Sequence, residues 1–322
     1  MRSKWVRYPL GAVRTGVMNY YTWFMFVGIY VVTGIFVPTI LSSAILLNVL
    51  VQGTTVCLLS FGMTFVMLVG EIDLSMVAVA AFSPMGAILA WEAGLPVPAA
   101  IVLTPLLGCG IGFCNGVMIT RLKIPSLVQT VAMWWMLEGV VLIVTRGVAK
   151  AGLPDTWMLL GRIFIGPIPL LVFFFLLVVV IAILFARRTV TGRRLYMVGG
   201  SRQASSAMGI PVNRIRIISF MISGLFAALA GYVSSSRMGF VSASFAVEWL
   251  MPAIAAPVIA GVSLTGGRGN FVNVIAGAYL VQLIVMVVRA GGVGGYFTEF
   301  VQGLLVFIAI LVNAGRQRVT GK

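Results

Sequence analysis

The chain has 322 residues, of which 61% are hydrophobic and 9% are charged, whereas a soluble domain carries about 25% charged residues. This composition excludes an ordinary soluble domain. The net charge of +15 would fit a nucleic-acid ligand, but the basic residues lie in short segments between apolar stretches. That distribution is typical of a membrane protein, so we expect no nucleic-acid partner.

Apolar stretches of about 20 residues recur along the chain, and each is long enough to cross a hydrocarbon layer of roughly 30 Å as a helix. The period-two alternation of a β-barrel is absent from runs such as 170–185. The sequence therefore predicts an all-α, polytopic membrane bundle of about ten transmembrane helices, in a single domain over residues 1–322. The predicted spans are 20–38, 44–69, 75–91, 97–120, 126–145, 167–186, 215–236, 249–265, 270–288 and 297–314.

The Lys and Arg residues orient this bundle, since basic loops stay in the cytoplasm. With the N-terminus inside, 17 of the 22 basic residues fall on the cytoplasmic side. An even number of spans then places both termini in the cytoplasm. No cleavable signal peptide is predicted, because no small-residue cleavage site follows a short apolar core.

Two short turns, 70–75 and 266–270, are alike in design, since both contain glycine and lie on the predicted cytoplasmic side. Each opens a new helix. In the first turn, Asp73 together with Ser75 is predicted to cap the third span, because a negative group is favoured at a helix N-terminus. Contact between Asp73 and a transported solute is the alternative interpretation.

Several kinds of chemistry are absent from the sequence. There is no histidine, which excludes His-based acid–base catalysis and removes the commonest metal ligand. The seven acidic residues lack the spacing of a metal site. The glycine-rich stretch 261–269 lacks the Gly-Lys-Ser/Thr ending of a phosphate-binding loop. We therefore predict no catalytic site, metal or cofactor, and any ATP hydrolysis must occur in another subunit.

The long cytoplasmic loop 187–216 carries seven arginines. Ser201 is predicted to cap a short helix that runs to Ala207. Gly209 would end this helix, and Pro211 would prevent its resumption. By composition alone, an ordinary solvated basic loop would explain the segment.

Four sequence blocks occur together in an order typical of a known family. They are Gly62–Val66 with Ile72–Ser75, Asn115–Gly116 with Thr120–Pro125, Gly192–Tyr196 and Gly199–Gly200 with Gly209–Arg214, and Ser263–Gly269. Over residues 45–314 the chain resembles the permease subunits of bacterial ATP-binding-cassette importers for monosaccharides. The resemblance implies a multi-pass protein of the bacterial inner membrane.

The resemblance implies that the loop around 187–216 docks on an ATPase subunit. The contact residues that it assigns are Gly200, Arg202, Ala204, Gly209 and Ile210. The implied partners are a cytoplasmic ATP-binding subunit, a periplasmic solute-binding protein, a second permease copy or homologous permease, and the lipid bilayer.

The chain departs from the family pattern at several charged positions. Acidic residues are usual at the positions of Arg202 and Gln203, so either the ATPase surface is altered or a partner permease carries the more typical loop. Glu71 stands where glycine is usual, and Glu138 stands where arginine is common. No family role is therefore carried over to Glu138.

Polar residues inside the spans are candidates for a translocation path. A carboxylate such as Glu138 costs several kcal/mol in the membrane unless it is paired or faces a cavity. A protonated or interface-snorkelling Glu138 is the alternative. The amides could bind a hydroxylated solute or neighbouring helices, and the tryptophan could stack on a sugar ring or pack. The candidate residues are Thr64, Asp73, Asn115, Gln129, Trp134 and Glu138.

The sequence therefore predicts a permease subunit that imports a small hydroxylated solute, most simply a monosaccharide, by alternating access. A permease for branched-chain amino acids or for a sugar-like signalling molecule is the nearest alternative. An ion-coupled secondary transporter is a further one, but Glu138 offers its single clear intramembrane carboxylate. A membrane scaffold without a solute path would leave the docking loop unexplained.

Overall fold

The computed structural model describes residues 10–290 and 295–319, and this part of the chain is almost entirely helical. The α-helices α1 to α13 are Leu10–Phe36, Ser43–Leu68, Met76–Glu92, Val97–Arg121, Ser126–Thr145, Leu159–Arg162, Leu170–Arg188, Val190–Gly200, Arg202–Ala207, Val212–Met238, Leu250–Ile259, Phe271–Ala290 and Gly295–Val319. Two 3₁₀ helices cover Pro38–Leu41 and Val247–Trp249.

Four two-residue strands lie between the long helices. Strand β1 (Lys150–Ala151) pairs antiparallel with β4 (Phe240–Val241), which joins the segment after α5 to the end of α10. Strands β2 (Phe164–Ile165) and β3 (Ile168–Pro169) form a small hairpin before α7. These pairs connect loops and leave the all-α class of the protein unchanged.

The predicted class, a polytopic helical membrane bundle, is confirmed. Among the described residues, six helices are long and apolar enough to cross a membrane, namely α2, α4, α5, α7, α10 and α12. The other four predicted spans coincide with shorter apolar helices at Tyr20–Phe36, Met76–Glu92, Val247–Ile259 and Tyr296–Ile308. The count of ten and the cytoplasmic position of both termini stay predictions. The basic residues Arg2, Lys4, Arg7 and Lys322 lie outside the described residues.

The predicted eighth span, 249–265, is wrong in its length. Helix α11 covers only Leu250–Ile259. Gly261 adopts a left-handed conformation with φ of 84°, which a continuing helix does not allow. The chain then turns, and the Ser263 amide donates to the Arg268 carbonyl at 3.0 Å. The predicted span was too long because the sequence stays apolar past the end of the helix. It does so since the following turn is packed inside the protein, where Val262 is fully buried.

Helices α2 and α10 form the centre of the bundle, and most of their side chains are buried. Aromatic rings fill the space between them and α12; the centroids of Phe65 and Phe271 lie 4.6 Å apart. In contrast, α5 and α7 expose large apolar side chains such as Ile143 and Leu177. An apolar outer face is what a hydrocarbon environment requires.

Helix α4 packs directly against α10 through glycines. A Cβ placed on Gly112 would lie 2.1 Å from the Phe220 carbonyl oxygen, and one on Gly108 would lie 2.2 Å from that of Gly224. Small residues of this kind let helix backbones approach closely in lipid. Side-chain packing and dispersion between backbones therefore hold the two spans together, because lipid supplies no hydrophobic drive for their association.

We predict that Gly112→Ala lowers the free energy of unfolding by about 2–3 kcal/mol, since α4 and α10 must separate to admit the methyl group. Gly110→Ala is the matched control, because a Cβ at Gly110 meets no atom within 4 Å. SDS-induced unfolding in mixed micelles measures both values. Equal stability of the two variants would show that the close contact is not important.

Candidate functional site

The two similar turns of the sequence meet in the structure at a contact of glycines with the end of α2. The Gly267 amide donates to the Leu68 carbonyl at 2.9 Å. A Cβ on Gly199 would lie 1.7 Å from the Leu68 oxygen and 2.4 Å from the Gly267 nitrogen. We call the contact of 68–70, 199–200 and 266–267 the glycine junction. It brings the end of α2, the end of α8 and the 266–267 turn together with their backbones in contact.

Two helices of the 187–216 segment lead into this junction. The predicted short helix is confirmed as α9, and the Ser201 side chain accepts from the Ala204 amide at 3.2 Å. Helix α8 was not predicted. The signals for it are Thr189, which accepts from the Gly192 amide at 2.9 Å, and the buried Leu195 on its inner face.

The predicted end of α9 is also confirmed. Gly209 has φ of 75°, a left-handed conformation that commonly terminates helices. The Gly209 amide donates to the Ser206 carbonyl at 2.9 Å, and the Ile210 amide donates to the Ser205 carbonyl at 3.0 Å. Helix α9 is thus a short, capped rod with a defined stop.

The residues assigned to ATPase contact lie at the protein surface. Gly200, Arg202, Ala204 and Gly209 are exposed, and Ile210 is half-buried. Beside them, between α9 and the start of α10, lies an open groove of about 570 Å³. The groove is lined by Arg202, Gln203, Ser206, Ile210, Pro211, Val212, Asn213 and Arg214. Binding of an ATPase in this place stays a prediction.

Glu71 is the buried acid of the glycine junction. It is 8% exposed, and its Oε1 accepts from Nη2 of Arg202 at 2.7 Å and from Nη2 of Arg216 at 2.5 Å. The same Arg202 nitrogen donates to the Val69 carbonyl at 3.1 Å. Sequence analysis missed this cluster, since its members are far apart in the chain. The one available signal was that Glu71 and Arg202 both depart from the family pattern.

Asp73 is the second buried acid of the same turn, at 1% exposure. Its Oδ1 accepts from the Ser75 amide at 3.0 Å and from the Ser75 hydroxyl at 2.6 Å. Its Oδ2 accepts from the Ser223 hydroxyl of α10 at 2.8 Å. Burial raises the pKa of the Asp73 carboxyl above its ordinary value, and these three hydrogen bonds oppose the shift.

The predicted capping by Asp73 and Ser75 needs correction. Ser75 is the N-cap residue of α3, but its side chain makes no capping bond. The hydroxyl instead donates to Asp73 and accepts from Asn115 Nδ2 at 2.9 Å. Asn115 Oδ1 in turn accepts from Gln129 Nε2 at 3.2 Å. The side chains meet neighbouring helices because those helices bring buried amides and hydroxyls that also need partners.

The six candidate path residues therefore divide into separate groups. Asp73, Asn115 and Gln129 belong to one internal hydrogen-bonded chain. Thr64 is fully buried and donates to the Ser60 carbonyl of its own helix at 2.6 Å. These residues are bonded within the chain, and their contact with a solute stays a prediction.

Trp134 and Glu138 form the other group, on the partly exposed helix α5. The Trp134 Nε1 donates to the Glu138 carboxylate at 2.9 Å, and both side chains are half-buried. Trp134 stacks on Trp135 with ring centroids 6.2 Å apart. Within the described residues, no cation pairs with Glu138, although the outer-loop acids Glu92 and Glu248 each bind a basic partner.

A further polar cluster lies where α2, α10 and α12 approach the opposite end of the bundle. Gln282 Nε2 donates to Gln52 Oε1 at 3.1 Å, and Gln302 is nearly buried beside them. Sequence analysis did not single out these amides, although polar side chains within apolar spans were the available signal. The cleft that they line holds about 40 Å³, which is room for a few water molecules and not for a sugar.

The fold is a polytopic helical membrane bundle that carries a short exposed helix, α9, beside an open groove. Residues 45–310 match the family model described as branched-chain amino acid transport system / permease component, and the chain belongs to this family. The ribose import permease protein RbsC of Bacillus subtilis is 31% identical over 295 residues, covering 89% of this chain and 91% of that protein.

Other relatives are permeases of a second import system. The autoinducer 2 import system permease protein LsrC of Yersinia enterocolitica is 33% identical over 261 residues, covering 81% of this chain and 72% of that protein. LsrC of Escherichia coli is 34% identical over 267 residues, covering 81% of this chain and 76% of that protein. No solved structure matches the chain. The predicted resemblance to import permeases is confirmed.

We predict that Asp73→Ala lowers the free energy of unfolding by about 3 kcal/mol, because it leaves a buried amide and two buried hydroxyls without their acceptor. Ser223→Ala is the matched control and should cost about 1 kcal/mol, since it removes one of the three hydrogen bonds. SDS-induced unfolding of both variants measures the difference. Equal losses would mean that Asp73 does not hold the network together.

Proposed function

We propose that the chain is the permease subunit of an ATP-driven importer and passes a small hydroxylated solute, most simply a monosaccharide, by alternating access. The observation that carries this proposal is α9, an exposed, capped helix whose base is fixed by the glycine junction to membrane spans. A short, capped helix of this kind can transmit a displacement of a docked soluble partner to the membrane spans. The membership of the chain in a family of permease components supports the same function.

The proposed partners follow from what the chain lacks. It has no phosphate-binding loop, so a separate cytoplasmic ATP-binding subunit must supply the energy. A periplasmic solute-binding protein would deliver the solute, and a second permease would complete the path across the bacterial inner membrane. Ribose is the solute named for one relative, which supports a sugar as the cargo.

The docking groove also indicates the charge of its partner. Two arginines, Arg202 and Arg214, are among its eight lining residues, and no acidic residue is among them. Charge complementarity across an interface suppresses wrong partners and steers encounter. We therefore infer that the matching surface of the ATP-binding subunit carries carboxylates.

The face of α5 that bears Glu138 is the proposed wall of the solute path. A half-buried intramembrane carboxylate without a cationic partner would be costly against lipid. Placed at a water-filled path between two permeases, the same carboxylate would be solvated and would accept hydrogen bonds from solute hydroxyls. Trp134 holds it in position through the indole N–H.

A sugar-like signalling molecule is the second candidate cargo, and the relatives named for autoinducer 2 import favour it. An ion-coupled transporter would use Glu138 without any ATPase. Uptake into proteoliposomes separates these cases, because the importer requires ATP and an ion-coupled transporter requires an ion gradient.

We predict that the wild-type chain, reconstituted with its ATP-binding subunit and solute-binding protein, takes up radiolabelled ribose only with ATP. Gly209→Val should abolish this uptake and the solute-stimulated ATP hydrolysis, because Val resists the left-handed conformation that ends α9. Gly209→Asn is the control and should retain both, since Asn tolerates that conformation. Stimulated hydrolysis by the Val variant at the wild-type rate would refute the role of α9.

The position of the solute path can be tested separately in a variant of the chain in which the native cysteines have been replaced. Glu138→Cys in the assembled complex should react with a charged methanethiosulfonate reagent, because thiol modification proceeds through the thiolate, which needs water. Leu177→Cys on the apolar face of α7 is the control and should stay unmodified. A Glu138→Cys variant that is inert in every nucleotide state would remove α5 from the path.

A further inference from the structure

We propose that Glu71 is a positioning residue that fastens the docking helix α9 to the membrane span α10. Through it, a movement of the docked ATP-binding subunit would pass from Arg202 to Arg216. This inference rests on the proposed function, since α9 transmits a movement only if a partner binds to it.

Glu71 adds a side-chain link between two helices that follow one another in the chain. Arg202 begins α9 and Arg216 lies in the second turn of α10, while the connection between the helices is only the segment 208–211. A single oxygen of Glu71 accepts from both guanidinium groups, at 2.7 Å and 2.5 Å. The carboxylate, which belongs to a third segment of the chain, therefore bridges α9 and α10 across the connection between them.

Burial makes the two halves of the bridge unequal. The Arg216 side chain is 14% exposed, whereas Arg202 is 46% exposed and lines the docking groove. Charge pairs are screened by water at the surface and much less inside. The bond to α10 is therefore the stronger one, and a docked partner acts on the weaker half, at Arg202.

Arg202 has enough N–H groups to bind Glu71 and a docked partner at the same time. A guanidinium carries five N–H groups, and the hydrogen bonds to Glu71 and Val69 both use Nη2. The remaining N–H groups are available to a carboxylate of the partner. Docking then need not break the bridge, and the partner becomes linked to α10 through one side chain and one carboxylate.

The bridge continues into the membrane through the next acid of the same turn. Asp73 binds Ser223, which lies seven residues after Arg216 and thus on the same face of α10. The turn 70–75 holds α10 at two points, two helical turns apart. Through Ser75, Asn115 and Gln129 the same turn reaches α5, the helix that carries the proposed path.

The test is a double-mutant cycle in the reconstituted complex, with solute-stimulated ATP hydrolysis as the readout. Glu71→Gln, Arg202→Gln and the double variant remove the pair from either side or from both. We expect each single variant to lower stimulated hydrolysis about fivefold, and the double variant to lose no more than either single one. Basal hydrolysis and complex assembly should stay at wild-type levels in Glu71→Gln, as they should in the control Arg121→Gln, which removes an exposed arginine that pairs with no other described residue.

Losses that multiply in the double variant, or full stimulation in Glu71→Gln, would overturn the proposal. If Glu71→Gln fails to assemble, Arg216→Gln takes its place in the cycle, because Arg216 lies outside the docking groove and its replacement opens the same bridge from the α10 side. A wild-type complex without ATP-dependent uptake would instead refute the proposed function, so the two failures are distinguishable.

Discussion

Two buried carboxylates in one short turn are the constraint on which the arrangement of this permease depends. Glu71 and Asp73 are both nearly inaccessible, and a buried carboxylate is tolerated only when its charge is paired or fully hydrogen-bonded. The protein meets this requirement in two different ways. Glu71 is neutralised by two arginines, whereas Asp73 is surrounded by neutral donors. Each solution brings a different set of helices to the turn between α2 and α3.

Glycine makes these approaches possible. The turn can receive the α8–α9 connection and the 266–267 loop because the glycines at the contact have no side chains; a Cβ placed on Gly199 would lie 1.7 Å from the Leu68 oxygen. The same device joins α4 to α10 inside the bundle. Polar bonds and backbone contacts thus act together in a medium where burial of apolar surface gives little drive for helix association. The apolar side chains, in contrast, fill the centre and cover the outer faces.

The arrangement also separates two tasks that a permease must combine. A basic groove and a short helix lie at the surface, where we propose that a soluble partner docks. Trp134 and Glu138, the proposed path residues, lie on a partly exposed helix, where a second permease would complete the wall. Between these places, one hydrogen bond joins Arg202 to Glu71, and a second series runs from Asp73 through Ser75 and Asn115 to Gln129. The backbone of residues 71–73 links the two. This connection is the proposed structural basis for coupling between the two places.

The sequence by itself determined the class of the protein, the order of its apolar helices and the short helix from Arg202 to Ala207. These features depend on local properties: hydropathy over about 20 residues, a capping serine and a glycine in the left-handed region. The family blocks added the expectation of a docking surface. The early end of α11 was not predicted, because a buried loop and a span can have the same apolar composition. Helix α8 was not predicted, because its arginines are typical of a solvated loop.

Only the tertiary structure decided what the polar residues bind. The sequence around Asp73 predicted that its carboxylate caps a helix. In the structure, the neighbouring helices provide a different set of partners. Glu71 and Arg202 are separated by 131 positions, and nothing in either segment specifies the other. Charged and amide side chains have many possible partners of similar energy. Which partner they bind is set by how the spans pack, and packing in lipid depends on small residues distributed along the whole chain.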